Sequence, residues 1–241
     1  MKVAGSSFYN SEAADINSRL IAGNTSKLNL EQAKKYSNSA SVLIMGLGDG
    51  DLVDSMLSHF DRIEVVEGSS DLIDTCSDRF LNIKNLKFHC SFFESFNFKE
   101  HDRVKVILGN HVLEHVDNPV DVLIKTQHWI TPDGVAIFSV PNADSLHRRI
   151  GVEMGLLNDI HELNSQDHLV GHQRVYDKEE LERDIRASGY EICEMGGFNL
   201  KMLSQKQMVD WSPELISAVY RVSRECPIDF CSNLYVTCKL S

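Results

Sequence analysis

Between residues 41 and 141 the chain repeats one pattern: a short apolar run, a turn and, usually, a helical stretch before the next apolar run. Ser41–Gly46 (SVLIMG), Ile63–Glu67 (IEVVE), Leu86–Cys90, Arg103–Gly109 (RVKVILG) and Val135–Val140 (VAIFSV) read as strands. Asp51–Phe60, Asp71–Phe80 and Pro119–Ile130 have helical spacing. Ser69 or Ser70 is placed to cap the second of these helices, and Pro119 suits the first turn of the third. Strands that are apolar throughout are buried on both faces, as in parallel sheets. Strand–helix alternation with right-handed crossovers therefore predicts an α/β fold with helices on both sides of a mostly parallel sheet.

Past Val140 the rhythm breaks. Residues 142–175 are polar and rich in histidine, and a second irregular stretch covers 198–225. Between and beyond them, Lys178–Ser188 and Ser212–Arg224 read as helices, and Tyr190–Met195 and Phe230–Leu240 as strands. We expect one domain over residues 1–241, with both stretches inserted over the sheet edge where ligands bind. Insertions of such length are usually functional or disordered. Residues 1–40, with Phe8-Tyr9 and a polar helical stretch, are expected to form a helical cap. This cap either closes over a ligand through Tyr9 or serves only as packing.

The first strand runs directly into Gly46-Leu47-Gly48-Asp49-Gly50, and a helix follows. Glycines in a strand-to-helix turn let a ligand approach the backbone, and the helix start presents N–H groups to a polar or negative group. Glu67 ends the next strand, twenty-one residues after Gly46, where a carboxylate can accept from both hydroxyls of a ribose. Gly68 beside it leaves room. A dinucleotide fingerprint needs another glycine where Asp51 stands, which disfavours a nicotinamide oxidoreductase.

These segments, with GNHVLEHVDNP and TPDGVAIFSVPNADSLHRR, resemble the class I S-adenosylmethionine (SAM)-dependent methyltransferases, and within them the small-molecule methyltransferases. The likeness is closest over residues 40–149. It implies a Rossmann-like three-layer sandwich whose seven-stranded, mostly parallel sheet ends in an antiparallel strand. It implies that the turn Gly46, Leu47, Gly48 and Gly50 holds the methionine part of SAM and that Glu67 binds the ribose. Ser69 or Ser70 would lie beside the adenosine, Ser91 and Phe92 would flank the adenine, and Asn110 and His111 would line the cleft. Ile44 and Ser91 stand where many relatives carry acidic residues.

Methyl transfer is an in-line displacement, so alignment is the main requirement, and a base is needed only where the acceptor holds its proton. His111 and His115 sit in NHVLEH at the end of a central strand, on the edge facing the crevice. His147, His161, His168 and His172 fall in the first insertion together with Arg148 and Arg174, and Tyr176 directly follows it. Histidine relays protons near neutrality and arginine clamps carboxylates. We therefore expect His115, His147 and His172 as candidate bases, and Arg148, Arg174 and Tyr176 as acceptor contacts. A packing or hydrogen-bonding role for Glu114 and His115 fits the turn equally well. His168 and His172 are four apart and, with His161 or Asp167, have metal-ligand spacing. A third ligand and outer support cannot be read from spacing, so no metal is assigned.

The net charge of −11 opposes a phosphate backbone, and no lysine- or arginine-rich block offsets it. A small metabolite, methylated on oxygen or nitrogen, is the expected acceptor: a sugar, an amino-acid derivative or a natural-product intermediate. A non-catalytic SAM-binding regulatory or partner subunit is the alternative. The six cysteines form no C-x-x-C pair and there is no apolar run long enough to span a membrane, so we expect a cytoplasmic protein without a membrane partner. A homodimer is compatible with this reading.

Overall fold

The structure, a computed structural model, describes residues 16–36, 40–203, 208 and 210–241. In chain order the main elements are α1 (Ile16–Tyr36), β1 (Ser41–Met45), α2 (Asp51–Leu57), β2 (Arg62–Glu67), α3 (Ser70–Ser77), β3 (Leu86–Cys90), β4 (Val104–Asn110), α4 (Pro119–Gln127) and β5 (Ile130–Pro141). They continue with α5 (Leu146–Glu153), α6 (Ser165–Val170), α7 (Lys178–Ala187), β6 (Tyr190–Leu200), α8 (Pro213–Ser223) and β7 (Cys231–Leu240). The strands form one seven-stranded sheet in the order β3-β2-β1-β4-β5-β7-β6. β1 to β5 pair in parallel, and β7 runs antiparallel to both its neighbours.

β1 shows why the sheet is sandwiched. Val42 and Ile44 pack with Ala33, Val53, Met56 and Leu72 on the face covered by α1, α2 and α3. Leu43 and Met45 pack with Val122, Leu123, Leu181 and Ile185 on the face covered by α4 and α7. Successive side chains point to opposite faces, so a strand covered on both sides must be apolar at every position. Ile44 is fully buried. In β4 a side chain at Gly109 would put its Cβ 2.5 Å from the Phe138 ring, so close strand packing requires glycine there.

The strand order reverses between β1 and β4, and a crevice opens above the carboxyl ends of the strands at such a switch point. Gly46, Glu67 and Asn110 all stand at that edge.

α1 is bound to the far side of the sheet. Asn24 Nδ2 donates to Asn199 Oδ1 at 2.9 Å, Gln32 Nε2 to Glu194 Oε1 at 3.2 Å, and Thr237 Oγ1 to Gln32 Oε1 at 3.1 Å. Residues 16–36 thus form a packing helix, while Tyr9 lies outside the described residues.

β6 is longer than the apolar pattern predicts. It runs past Met195 to Leu200, so residues 198–200 belong to the sheet rather than to an irregular stretch. Two glycines hide this in the sequence. A Cβ on Gly196 would lie 2.6 Å from Tyr235 Cε1, and one on Gly197 2.7 Å from Cys231, so the β7 side chains fit only over bare backbone. Among the described residues no helix is long and apolar enough to cross a membrane.

Candidate active site

The site begins with the turn after β1. Gly46, Gly48 and Gly50 all have positive φ (82°, 56° and 84°), a region that side-chain-bearing residues rarely adopt. Gly46 N still donates to Val66 O at 2.8 Å, so the turn leaves the sheet without breaking the ladder. Space is open over it: a Cβ on Gly46 would meet nothing within 4 Å. Arg79 fastens the turn from below, with Nη1 donating to Asp49 O at 2.8 Å and Nη2 bonded to Asp51 and Asp54. Its place at the end of a helical stretch carries no sequence signal for this role.

Glu67 is buried at the end of β2. Its Oε2 accepts from Leu47 N at 2.9 Å and its Oε1 from Ser69 N at 2.7 Å. Two backbone donors therefore fix the carboxylate against the glycine turn. An ionised carboxylate has about four acceptor sites, so about two remain for a ligand. Ser69 caps α3 by accepting from Leu72 N. On the next strand Cys90 pairs with Glu67 and Ser91 N donates to Glu67 O at 2.9 Å. Ser91 and Phe92 are thereby brought beside Glu67 and Gly68. Phe92 keeps 44% of its surface exposed, whereas neighbouring Phe93 is buried in the core. These features suit a nucleoside: an open glycine turn, a fixed carboxylate with free acceptor sites, and an exposed ring on the loop after the adjacent strand.

On the other side of the switch point, Asn110 Oδ1 accepts from Ser139 Oγ at 2.9 Å. His111 follows with φ 50°, an uncommon conformation for a side-chain-bearing residue that costs on the order of 1–3 kcal/mol and clusters at functional sites. The kink directs His111 Nδ1 to Glu114 Oε1 at 3.0 Å. Glu114 is fully buried, and its Oε2 has no hydrogen-bond partner among the described residues. Burial opposes its ionisation, yet His111, His115 and His172 around it hold its carboxyl below the usual range.

His172 arrives from the polar stretch after β5. Its Nδ1 bonds Asp167 Oδ1 at 2.9 Å, and its ring lies edge-on to His115 with centroids 4.8 Å apart. Burial pushes the pKa of His115 down. Burial alone would raise the Asp167 carboxyl, but His172, the Asn164 amide and Arg148 outweigh it and hold it at about 2.

The expected acceptor contacts Arg148, Arg174 and Tyr176 each have partners within the protein. Arg148 is buried; its guanidinium bonds Ile160 O at 2.6 Å, Asp167 Oδ2 at 3.3 Å and the Glu162 carbonyl. Arg174 donates from Nη1 to Leu113 O and Val116 O at 2.8 and 2.5 Å and from Nη2 to Asp117 O at 3.2 Å, which holds the 113–117 turn. Tyr176 is buried, with its hydroxyl on Asp184 Oδ2 at 3.1 Å. The sequence places these groups by type; in the structure their donors serve backbone carbonyls and carboxylates.

His147 is separate from the His115–His172 pair. Its Nδ1 is buried without a partner among the described residues. Burial, reinforced by the charges of Lys201 and Arg148, lowers its pKa to about 3, which makes it a poor proton acceptor at neutral pH. Lys201 lines a cavity of about 30 Å³ with Asn24, Asn199 and Trp211, and burial lowers its pKa too. Nothing in the sequence marked it. His168 does not join His172; His172 Nε2 stands 4.0 Å from Glu114 Oε1 instead.

Residues 12–195 match the family model described as a methyltransferase domain. No curated protein matches the chain in sequence. Solved structures match it in fold. A SAM-dependent methyltransferase from Clostridium acetobutylicum superposes with a TM-score of 0.61 at 11% identity, covering 91% of this chain and 92% of that one. The N-methyltransferase NodS from Bradyrhizobium japonicum, in complex with S-adenosyl-L-homocysteine, gives 0.59 at 11% identity, covering 95% and 89%. The small RNA methyltransferase HEN1 gives 0.62 at 15% identity, covering 92% of this chain but 26% of HEN1. The glycine turn, the seven-stranded sheet and the family match over most of its length agree: the chain belongs to the methyltransferase-domain family, the class I enzymes that take their methyl group from S-adenosylmethionine.

Proposed function

We propose that the chain methylates an oxygen or nitrogen of a small metabolite in the cleft between the glycine turn and the Asn110–Asp117 segment. The observation that carries this reading is Glu67: a carboxylate fixed by Leu47 N and Ser69 N, at the mouth of an open glycine turn, with acceptor sites left for two ribose hydroxyls.

In this reading Gly46, Leu47, Gly48 and Gly50 hold the methionine end, Glu67 the ribose, Gly68 and Ser69 the nucleoside edge, and Ser91 and Phe92 the adenine. Asn110 and His111 line the far wall. SAM supplies an electrophilic methyl on sulfonium sulfur. The chain's own part is to hold the acceptor in line with it and to exclude water. Residues 142–175 form the acceptor side. His115 and His172, paired at that edge, are the polar groups that meet the acceptor. The net charge of −11 supports a small acceptor over a nucleic acid.

Calorimetry on the folded chain tests the cofactor part: SAM and its demethylated thioether should bind, and NAD should not. Incubation with methyl-labelled SAM and a metabolite extract, followed by NMR of the labelled product, tests the acceptor part. Label appearing only in added RNA overturns the small-molecule reading.

A further inference from the structure

We propose that Glu114, His115 and His172 bind one divalent transition-metal ion at the acceptor side of the cleft. The proposal rests on the cleft reading above and deepens it, because it names what those two histidines hold. One donor atom from each residue lies within 4.8 Å of the other two. Donors around one ion at about 2.0–2.2 Å stand roughly 3–4 Å apart, so the widest pair needs to draw in by about 1–2 Å, within the reach of side-chain rotation. His172 Nε2 is already 4.0 Å from Glu114 Oε1.

Three features distinguish this cluster from a chance grouping of polar side chains. Glu114 is fully buried and its Oε2 has no hydrogen-bond partner among the described residues, a costly arrangement for a carboxylate. His172 has an oxygen acceptor on its ring, since its Nδ1 bonds Asp167 Oδ1 at 2.9 Å. Metal-binding imidazoles characteristically use one nitrogen in this way and coordinate through the other. The outer layer is itself braced, since Asp167 Oδ2 accepts from Asn164 N at 2.9 Å and from Arg148. The Arg148–Asp167 pair thereby holds His172 in the orientation the ion needs.

The donor set, two imidazoles and a carboxylate, suits Zn²⁺, Fe²⁺ or Co²⁺ better than Mg²⁺ or Ca²⁺, which prefer oxygen throughout. Three protein ligands leave coordination positions for water or for an acceptor oxygen. A second grouping, His161 with Asp177 and Glu180, has similar spacing, but a capping box accounts for its acids. Asp177 Oδ1 takes Glu180 N at 2.7 Å, and Glu180 Oε2 takes Asp177 N at 3.4 Å.

Cobalt titration of the chelator-stripped full chain tests the proposal, followed by visible absorption and calorimetry, with SAM binding measured on the same samples. The expected result is one Co²⁺ per chain with a protein-dependent visible band. His172→Ala and His115→Ala should abolish the band while SAM still binds. Asp167→Asn should weaken Co²⁺ about 10–100-fold, the usual effect of losing an outer partner. His161→Ala should change nothing. Saturable cobalt binding that survives His172→Ala, or that disappears with His161→Ala, overturns the proposal. If SAM binds and cobalt does not, the metal site fails and the cofactor cleft stands. If the folded chain binds neither, both fail. Should His172→Ala not fold, Glu114→Gln and Asp167→Asn carry the same test, with the heat of SAM binding as proof of a native cleft.

Discussion

The two walls of the cleft are built from similar residue types in opposite ways. On the glycine-turn wall, one buried carboxylate, Glu67, is held by backbone amides and keeps acceptor sites for a ligand. On the histidine wall, polar side chains are held by one another: Arg148 on Asp167, Asp167 on His172, His111 on Glu114. The first wall comes from two adjacent strands and their turns. The second joins residues 110–117 to residues 144–174, with Arg174 and Gln173 tying the segments together. The difference teaches where mutations should act. Changes on the first wall should alter ligand binding with little effect on folding, and changes on the second should reach stability before they reach the ligand.

Arg148 offers the largest test of that contrast. Read by type, it is an acceptor clamp; read by its partners, it is a buried brace. Arg148→Met removes one partner of a buried ion pair, which costs about 3–5 kcal/mol, and leaves the Ile160 and Glu162 carbonyls without their donor. Urea denaturation should show that loss. An unchanged midpoint with a raised KM for the acceptor would return Arg148 to the substrate pocket.

Glu67→Gln is the counterpart on the first wall. Gln keeps one acceptor oxygen but loses the charge, and charge-assisted hydrogen bonds contribute about 1.5–3 kcal/mol, so SAM affinity should fall roughly 10–100-fold. The unfolding midpoint should move far less than for Arg148→Met. Equal affinity for SAM in the two proteins would remove Glu67 from the ribose site.

These two residues also show what was legible in the sequence. The place of Glu67 beside the glycine turn could be read because strand order and turn spacing are local: the apolar run, the glycines and the acid at the next strand end all lie within thirty residues. The fold was legible for the same reason, since both-face burial writes itself into continuous apolar strands such as Val42–Met45. Arg148, Arg174 and Tyr176 were assigned by chemical type, but the partners that decide their role are set by tertiary packing. Arg174 reaches carbonyls some sixty positions away, and no spacing rule records that. The end of β6 was hidden by Gly196-Gly197, whose absent side chains are required by Tyr235 and Cys231.

His147 makes the contrast pH-dependent. Its pKa falls from 6.5 to about 3 in the folded protein, so the native state holds the neutral ring while the unfolded chain takes up a proton below pH 6.5. The unfolded state then binds more protons, and stability declines as the pH falls from 6.5 toward 3. At pH 5 the deficit relative to pH 7 is about 2 kcal/mol from this group alone, at roughly 1.4 kcal/mol per unit. His147→Gln should flatten that slope in denaturation curves measured from pH 7 to pH 5, and should leave the pH profile of methyl transfer in place. A parallel slope in both proteins would show that His147 is accessible to water, and a shifted activity profile would restore it as a base.

Phe92→Ala carries the smallest expected effect and the cleanest separation of ligand contact from packing. Phe92 and Phe93 are adjacent on the loop after β3, one 44% exposed and the other in the core. Truncating Phe93 empties packed volume and should cost about 3–5 kcal/mol of stability. Truncating Phe92 removes surface already in water, so stability should stay within about 0.5 kcal/mol. A ring stacked against adenine is worth on the order of 1 kcal/mol, which predicts a SAM affinity about fivefold weaker in Phe92→Ala. Calorimetry on the two alanine variants resolves a difference of that size. A Phe92→Ala protein that loses stability while keeping its affinity would place the ring in the fold, and the first wall would then resemble the second.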